Sequence, residues 1–161
     1  MAPLVPTEED WGNWSSGDLD VAYAHKIFAG KTNLEVQPDF YRCVIERTDE
    51  LRWMPKVPFQ YYILGFRDFV ISGKFASYDS SDAASCFLGL IEEKLQTQPD
   101  YVVPVMQELI PAVEYVAEHQ EQYAADAGIY GNFMEKRKSI ESLYRTYMLN
   151  IAFERDEKWP S

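Results

Sequence analysis

Cysteine and histidine are scarce in this chain. Cys43 and Cys86 are its two thiols, and His25 and His119 its two imidazoles, in 161 residues. The cysteines lie far apart, each within an apolar helical pattern, so buried reduced thiols are expected rather than a disulfide or a reactive cysteine. Long hydrophobic runs are also missing. None approaches the ~20 residues that a membrane-crossing helix needs. The opening MAPLVPTEEDW has neither a basic region nor a long apolar stretch, which argues against a secretory signal and for the cytosol. Glycine-rich phosphate loops, Gly-x-Ser-x-Gly, Cys-x-x-Cys and calcium-loop patterns do not occur.

Positive charge is the remaining shortage, and it is local. The net charge is −11. Residues 1–20, 21–78, 79–135 and 136–161 carry −5, +2, −10 and +2, and the third segment has a single base, Lys94, against eleven acids. Direct binding of nucleic acid is thereby disfavoured, since phosphates would be repelled rather than neutralised. A basic protein partner suits such a surface, and a merely solubilising acidic surface is the alternative.

What the chain has in plenty is apolar and aromatic residues, 47% and 15%, too many for a disordered chain. The length suits one domain burying roughly 70% of its unfolded surface, with residues 1–15 as an N-terminal arm. Thr7 and Asp10 resemble a capping box that leaves Trp11 and Trp14 to pack back. Ser16 or Gly17 starts a helix ended by Gly30, in which Leu19, Ala22, Tyr23 and Ile27 share helical spacing. A further helix is expected from about Asp39 to Trp53, with Phe40, Cys43, Val44 and Leu51 inward, before Pro55 and Pro58 break the chain. Residues 59–71, FQYYILGFRDFVI, are apolar on almost every side. A strand is possible, but the aromatics and the helical surroundings favour a central buried helix.

After Gly73 and a loop, FASYDSSD, Ser80 or Ser81 caps a helix with the stripe Ala84, Phe87, Leu88, Ile91 and Leu95. Pro99 and Asp100 open a long helix with Val102, Val105, Met106, Leu109, Val113 and Val116 on one face, which Pro111 should kink or split. ADAGIYGN is a break. Asn132 caps a last helix to about Phe153, with Phe133, Ile140, Leu143, Tyr144, Tyr147 and Ile151 inward. The expected architecture is all-α, a single-domain bundle of about six or seven helices.

The stretch EYVAEHQE (114–121) gathers three carboxylates around His119. Metal binding on one helix face needs ligands three or four residues apart. His119 has Tyr115, Val116, Gln122 and Tyr123 at those offsets, and His25 has Val21, Ala22, Phe28 and Ala29. Neither set predicts a metal site, and no cofactor is implied. Acid–base catalysis needs two carboxylates whose environments differ. Glu114, Glu118 and Glu121, taken as a solvent-facing row away from the valine and leucine stripe, have no cause to differ, and reversing their charge should leave folding intact.

The signal that remains is carboxylates interleaved with aromatics: Tyr78, Asp79, Asp82, Tyr101, Glu108, Glu114, Tyr115, Glu118, Glu121, Tyr123, Asp126 and Tyr130. Tyrosines anchor interfaces and carboxylates speed association with a cationic partner. Partner contact is therefore expected at Tyr78, Asp79, Asp82, Glu108, Glu114, Tyr115, Glu118, Glu121 and Asp126. A small acidic helical domain with this block of charge resembles, as a class, the immunity proteins that protect bacteria from polymorphic or contact-dependent toxins. That resemblance implies a non-enzymatic inhibitor of a basic toxin domain, such as a nuclease. Two alternatives stand beside it. One is a phage-type inhibitor or nucleic-acid mimic acting on a host nucleic-acid-binding protein. The other is an enzyme with a pocket outside known motifs, for instance around Arg67 and Asp68, although a buried or helix-end ion pair explains those two more simply.

Overall fold

In the computed structural model, which describes residues 3–76 and 78–157, helix accounts for 73% of the chain and no strand occurs among the described residues. Seven helices of six or more residues are α1 (Leu19–Phe28), α2 (Gln37–Arg42), α3 (Val44–Trp53), α4 (Lys56–Ser72), α5 (Ser80–Thr97), α7 (Met106–Glu118) and α9 (Phe133–Glu157). Two single turns, α6 (Pro99–Val102) and α8 (Ala127–Tyr130), and short 3₁₀ turns at Glu9–Trp11 and Val103–Val105 complete the bundle. Met1, Ala2, Ser77 and 158–161, which belong to the arm, loop and domain read from the sequence, lie outside the described residues.

Helix α4 is the central element because it is apolar on almost every side. Phe59, Tyr62, Ile63, Phe66 and Val70 are fully buried, and α2, α5, α6 and α7 all pack on it. The strand alternative for 59–71 thus falls. Phe40 of α2 stacks on Phe66 and Phe69 at 5.1 and 5.6 Å, and Phe66 meets Phe87 of α5 edge-on at 5.5 Å. Gly65 has a steric purpose. A Cβ there would lie 2.3 Å from Asn33 Oδ1, and Asn33 Nδ2 donates to the Tyr61 carbonyl while Gln37 Nε2 donates to that of Gly65. The missing side chain lets the 31–36 loop lie against the helix. Gly73 ends α4 in the left-handed conformation at φ 69°.

The N-terminal arm packs as expected. Thr7 and Asp10 exchange backbone-to-side-chain hydrogen bonds, and Trp11 is buried against the edge of His25 and beside Tyr62. Trp14 stacks on His25 at 3.7 Å, and Glu8 accepts from both Trp14 Nε1 and His25 Nε2. The apolar stripe of α5 is buried throughout. Asn132 Oδ1 accepts from Glu135 N at the start of α9, of whose inward stripe Phe133 and Ile140 are buried and the rest half-buried.

Several local expectations are corrected. Asp18, rather than Ser16 or Gly17, caps α1 through the amides of Asp20 and Val21. The buried face of α1 is Ala24 and Phe28, while Leu19 and Tyr23 are exposed, because the arm lays Trp11 against the Phe28 side. The single helix 39–53 is two, separated by Cys43 in an extended conformation (φ −160°, ψ 92°). Pro58 does not break the chain: it sits in the first turn of α4, where no intrahelical N–H bond is required. At the start of α5 the Ser80 and Ser81 hydroxyls turn to the Tyr123 carbonyl and the Tyr130 hydroxyl, and Asp79 takes the cap position. The long helix after Pro99 splits at Val103–Val105, which contains Pro104, while Pro111 stays inside α7. Leu109, Val113 and Val116 hold α7 in the core on both sides of Pro111. Part of the ADAGIYGN break is the turn α8, capped by Asp126. Both cysteines are free and half-buried rather than fully buried.

Candidate acidic interface

Helix α7 ends at Glu118, with His119 as its cap residue. The row Glu114, Glu118, Glu121 is therefore not one helical face. Glu121 lies in the following turn and is exposed. Glu114 and Glu118 point to α9, where Arg137 holds them: Nη1 is 2.9 Å from Glu118 and Nη2 3.5 Å from Glu114, while Nε donates to Glu141 at 2.8 Å. Hydrogen bonding to Glu141 leads the causes that push the Arg137 pKa further up. Reversing both acids would set lysines against this guanidinium, so the expectation that such a change leaves folding intact does not carry over to Glu114 and Glu118.

The turn after α7 is rigidly tied. His119 Nδ1 donates to the Tyr115 carbonyl at 2.7 Å, and the two rings stack at 4.1 Å. Gln120, which no sequence pattern singles out, donates to the carbonyls of Ala125 and Gly131 and accepts from Phe133 N. One amide thus joins the turn to the start of α9. Tyr123 is buried and donates to the Val70 carbonyl, and burial pushes its phenol up to about 12. Tyr101 is half-buried beside Phe59.

These bonds draw part of the expected set to one end of the bundle. Ser80 Oγ donates to the Tyr123 carbonyl, and the Tyr130 hydroxyl bridges Ser81 and Asp82. Tyr78, Asp79 and Asp82 at the start of α5 are thereby joined to the segment holding Glu121 and Asp126. Tyr78 is 94% exposed and has a positive φ of 72°. Glu118, His119, Glu121, Asp126 and Asn132 line a shallow depression of about 740 Å³. Glu108 and Tyr115 line a different groove, of about 550 Å³, with Arg67, Asp68 and Ile71, and Tyr115 borders the depression through its stack on His119. Of the eleven carboxylates in 79–135, Glu93, Asp100, Glu114 and Glu118 have a basic partner. Asp79, Asp82, Glu92, Glu108, Glu121, Asp126 and Glu135 have none within 4.0 Å among the described residues.

Arg67 and Asp68 pair at 2.9 Å in the middle of α4, partly exposed, and Arg67 also donates to the Glu108 carbonyl. They are neither buried nor at a helix end. A buried amine sits elsewhere. Lys94 Nζ lies 5.0 and 5.1 Å from the ring centres of Phe59 and Tyr101 and donates to the Arg52 carbonyl and Gln98 Oε1. Burial lowers its pKa to about 8. Its bonds satisfy a carbonyl in the last turn of α3 and tie it to the end of α5, which is a structural use of the charge.

Among the described residues, no three His, Cys, Asp or Glu side chains converge as metal ligands, and no helix is long and apolar enough to cross a membrane. The chain matches no protein-family model, no curated protein and no solved structure.

Proposed function

We propose that this protein is an acidic binding module that neutralises a basic protein partner, as an immunity protein does with a toxin domain. The observation carrying this reading is the group Asp79, Asp82, Glu121 and Asp126, brought to one end of the bundle with no basic side chain within salt-bridge distance among the described residues. Exposed Tyr78 stands beside them as an aromatic anchor. Uncompensated carboxylates on a rigid rim attract a cationic surface at long range and set the association rate more than the final affinity. Glu114 and Glu118 contribute to the same field, reduced by Arg137.

Affinity capture from the native host, with the captured protein identified by mass spectrometry, supplies the partner. Stopped-flow association is then measured at increasing salt for the wild type and for Glu121→Lys with Asp79→Lys. The expected result is a basic partner, an association rate that falls with salt, and a further loss of about tenfold in the reversed variant. A partner whose association rate ignores both salt and reversal would show that this end of the bundle is only a solvated surface.

A further inference from the structure

The stretch Tyr147–Met148–Leu149–Asn150–Ile151–Ala152–Phe153 of α9 is apolar on every side but one. At 100° per residue, Tyr147 and Ile151 continue the inward stripe of Phe133, Ile140 and Tyr144, and they are half-buried. Leu149 and Phe153 project on the opposite side, 63% and 65% exposed, with Met148 at 44% on the flank. A helix that is apolar all round belongs where both sides are covered, and in the single chain the outer side is bare.

That outer side has coiled-coil spacing. Arg145, Leu149, Ala152 and Asp156 follow one another at four, three and four residues, which places them on one seam with Met148 and Phe153 beside it. We propose that the seam is covered by the same seam of a second copy of the chain, running antiparallel about a twofold axis. The charges choose both the occupant and the direction. In an antiparallel register Arg145 meets Asp156 of the second copy, and the twofold axis repeats the pair. Leu149 then faces Ala152, while the Met148 flank of one copy lies along the Met148 flank of the other and the two Phe153 flanks meet on the other side. Parallel pairing in register sets arginine against arginine and aspartate against aspartate. Neither Arg145 nor Asp156 has an ion-pair partner within the chain among the described residues.

The groove beside the seam fits this arrangement. Met148 and Arg145 form the outer end of an apolar groove of about 330 Å³ between α7 and α9, floored by Met106, Ile110 and Val113. Met148 of the second copy comes to this same flank and adds apolar surface at the mouth of the groove. From Arg145 to Asp156 the seam is only ~17 Å long. The contact falls below the ~1,200 Å² of a standard interface, so the dimer is weak and concentration-dependent.

Sedimentation velocity over a concentration series of the full chain tests the proposal, with circular dichroism confirming unchanged helix content in every variant. The wild type is expected to shift from monomer to dimer as concentration rises. Arg145→Asp and Asp156→Arg, each alone, should weaken the dimer at least about tenfold by setting like charges together. The double variant Arg145→Asp with Asp156→Arg should restore it, and Leu149→Ser with Phe153→Ser should abolish it. A wild type that stays monomeric at every concentration would overturn the proposal, as would a dimer indifferent to these changes or a double variant that fails to recover. Binding of the monomer to vesicles of mixed neutral and anionic phospholipid, without dimerisation, would also overturn it and assign the face to a lipid surface.

Discussion

Arg47 in α3 and Arg137 in α9 each face glutamates on neighbouring turns, yet Arg47 meets one of its two, Glu50, inside the protein, whereas Glu46 and the carboxylates around Arg137 are at the surface. Arg47 Nη2 is 2.7 Å from Glu50 and 3.1 Å from Glu46, and the Arg47 and Glu50 side chains are 3% and 5% exposed. Among the described residues, Arg47 Nε and Glu50 Oε2 have no hydrogen-bond partner. Desolvation by burial raises the Glu50 pKa from 4.5 to about 7, although the neighbouring guanidinium acts in the opposite direction. Around Arg137 the three carboxylates are 37–55% exposed. The same chemical pairing is thus costly in the core and mild at the surface, because in the core no water replaces the bonds that geometry leaves unmade.

The contrast can be tested from its strongest side first. Arg47→Met leaves Glu50 buried without its cation and is expected to cost about 3–5 kcal/mol at pH 8 by urea denaturation. At pH 5, where Glu50 is protonated, the cost should be smaller. Equal costs at the two pH values would show that Glu50 is not the stranded group.

The wild-type pH dependence is the next effect in size. Between 4.5 and about 7 the unfolded chain has released the Glu50 proton while the folded chain keeps it. The folded state therefore binds more protons, and this group makes stability fall as pH rises through that window. Below 4.5 both states are protonated, and its contribution is constant. Glu35, whose carboxylate is held below its usual range by hydrogen bonds from Thr32, acts the opposite way, so the measurement is the difference between the wild type and Glu50→Gln, read as urea midpoints from pH 4 to 8. That difference should change across the window, and a flat difference would mean that Glu50 titrates alike in both states.

The surface fork should give the smallest effect. Arg137→Met removes three exposed pairings and is expected to cost about 1 kcal/mol, less at high salt. A loss as large as that of Arg47→Met would mean that Arg137 acts as a buried ion despite its exposure. The same variant leaves Glu114 and Glu118 without a cation, so under the proposed function it should speed association with a basic partner.

How far these features could be read from the chain depended on the reach of each interaction. The Thr7–Asp10 and Asn132–Glu135 caps were legible because each closes over three residues. The stripe of α5 and the nearly all-round apolar α4 were legible because helical period and composition express burial directly. The division at Cys43 was not, since no glycine or proline marks it. Two prolines, Pro104 and Pro111, lie between Pro99 and Glu118, and only the packing shows that the helix yields around Pro104 and continues through Pro111. Among the expected contact residues, Asp79, Asp82, Glu121 and Asp126 are found near one another, Glu108 and Tyr115 lie in a separate groove, and Glu114 and Glu118 are held by Arg137.

The sequence by itself determined an all-helical chain, the main places where helices begin and end, and a strong excess of carboxylates between 79 and 135. Tertiary structure alone decided which of those carboxylates stand without a partner. Arg52 comes from 41 residues away to meet Glu93, and Arg137 from 19 away to meet Glu118. Counting charge along the chain measures neighbours in sequence, whereas the attraction between two ions follows their distance in space and is screened by salt over about 10 Å.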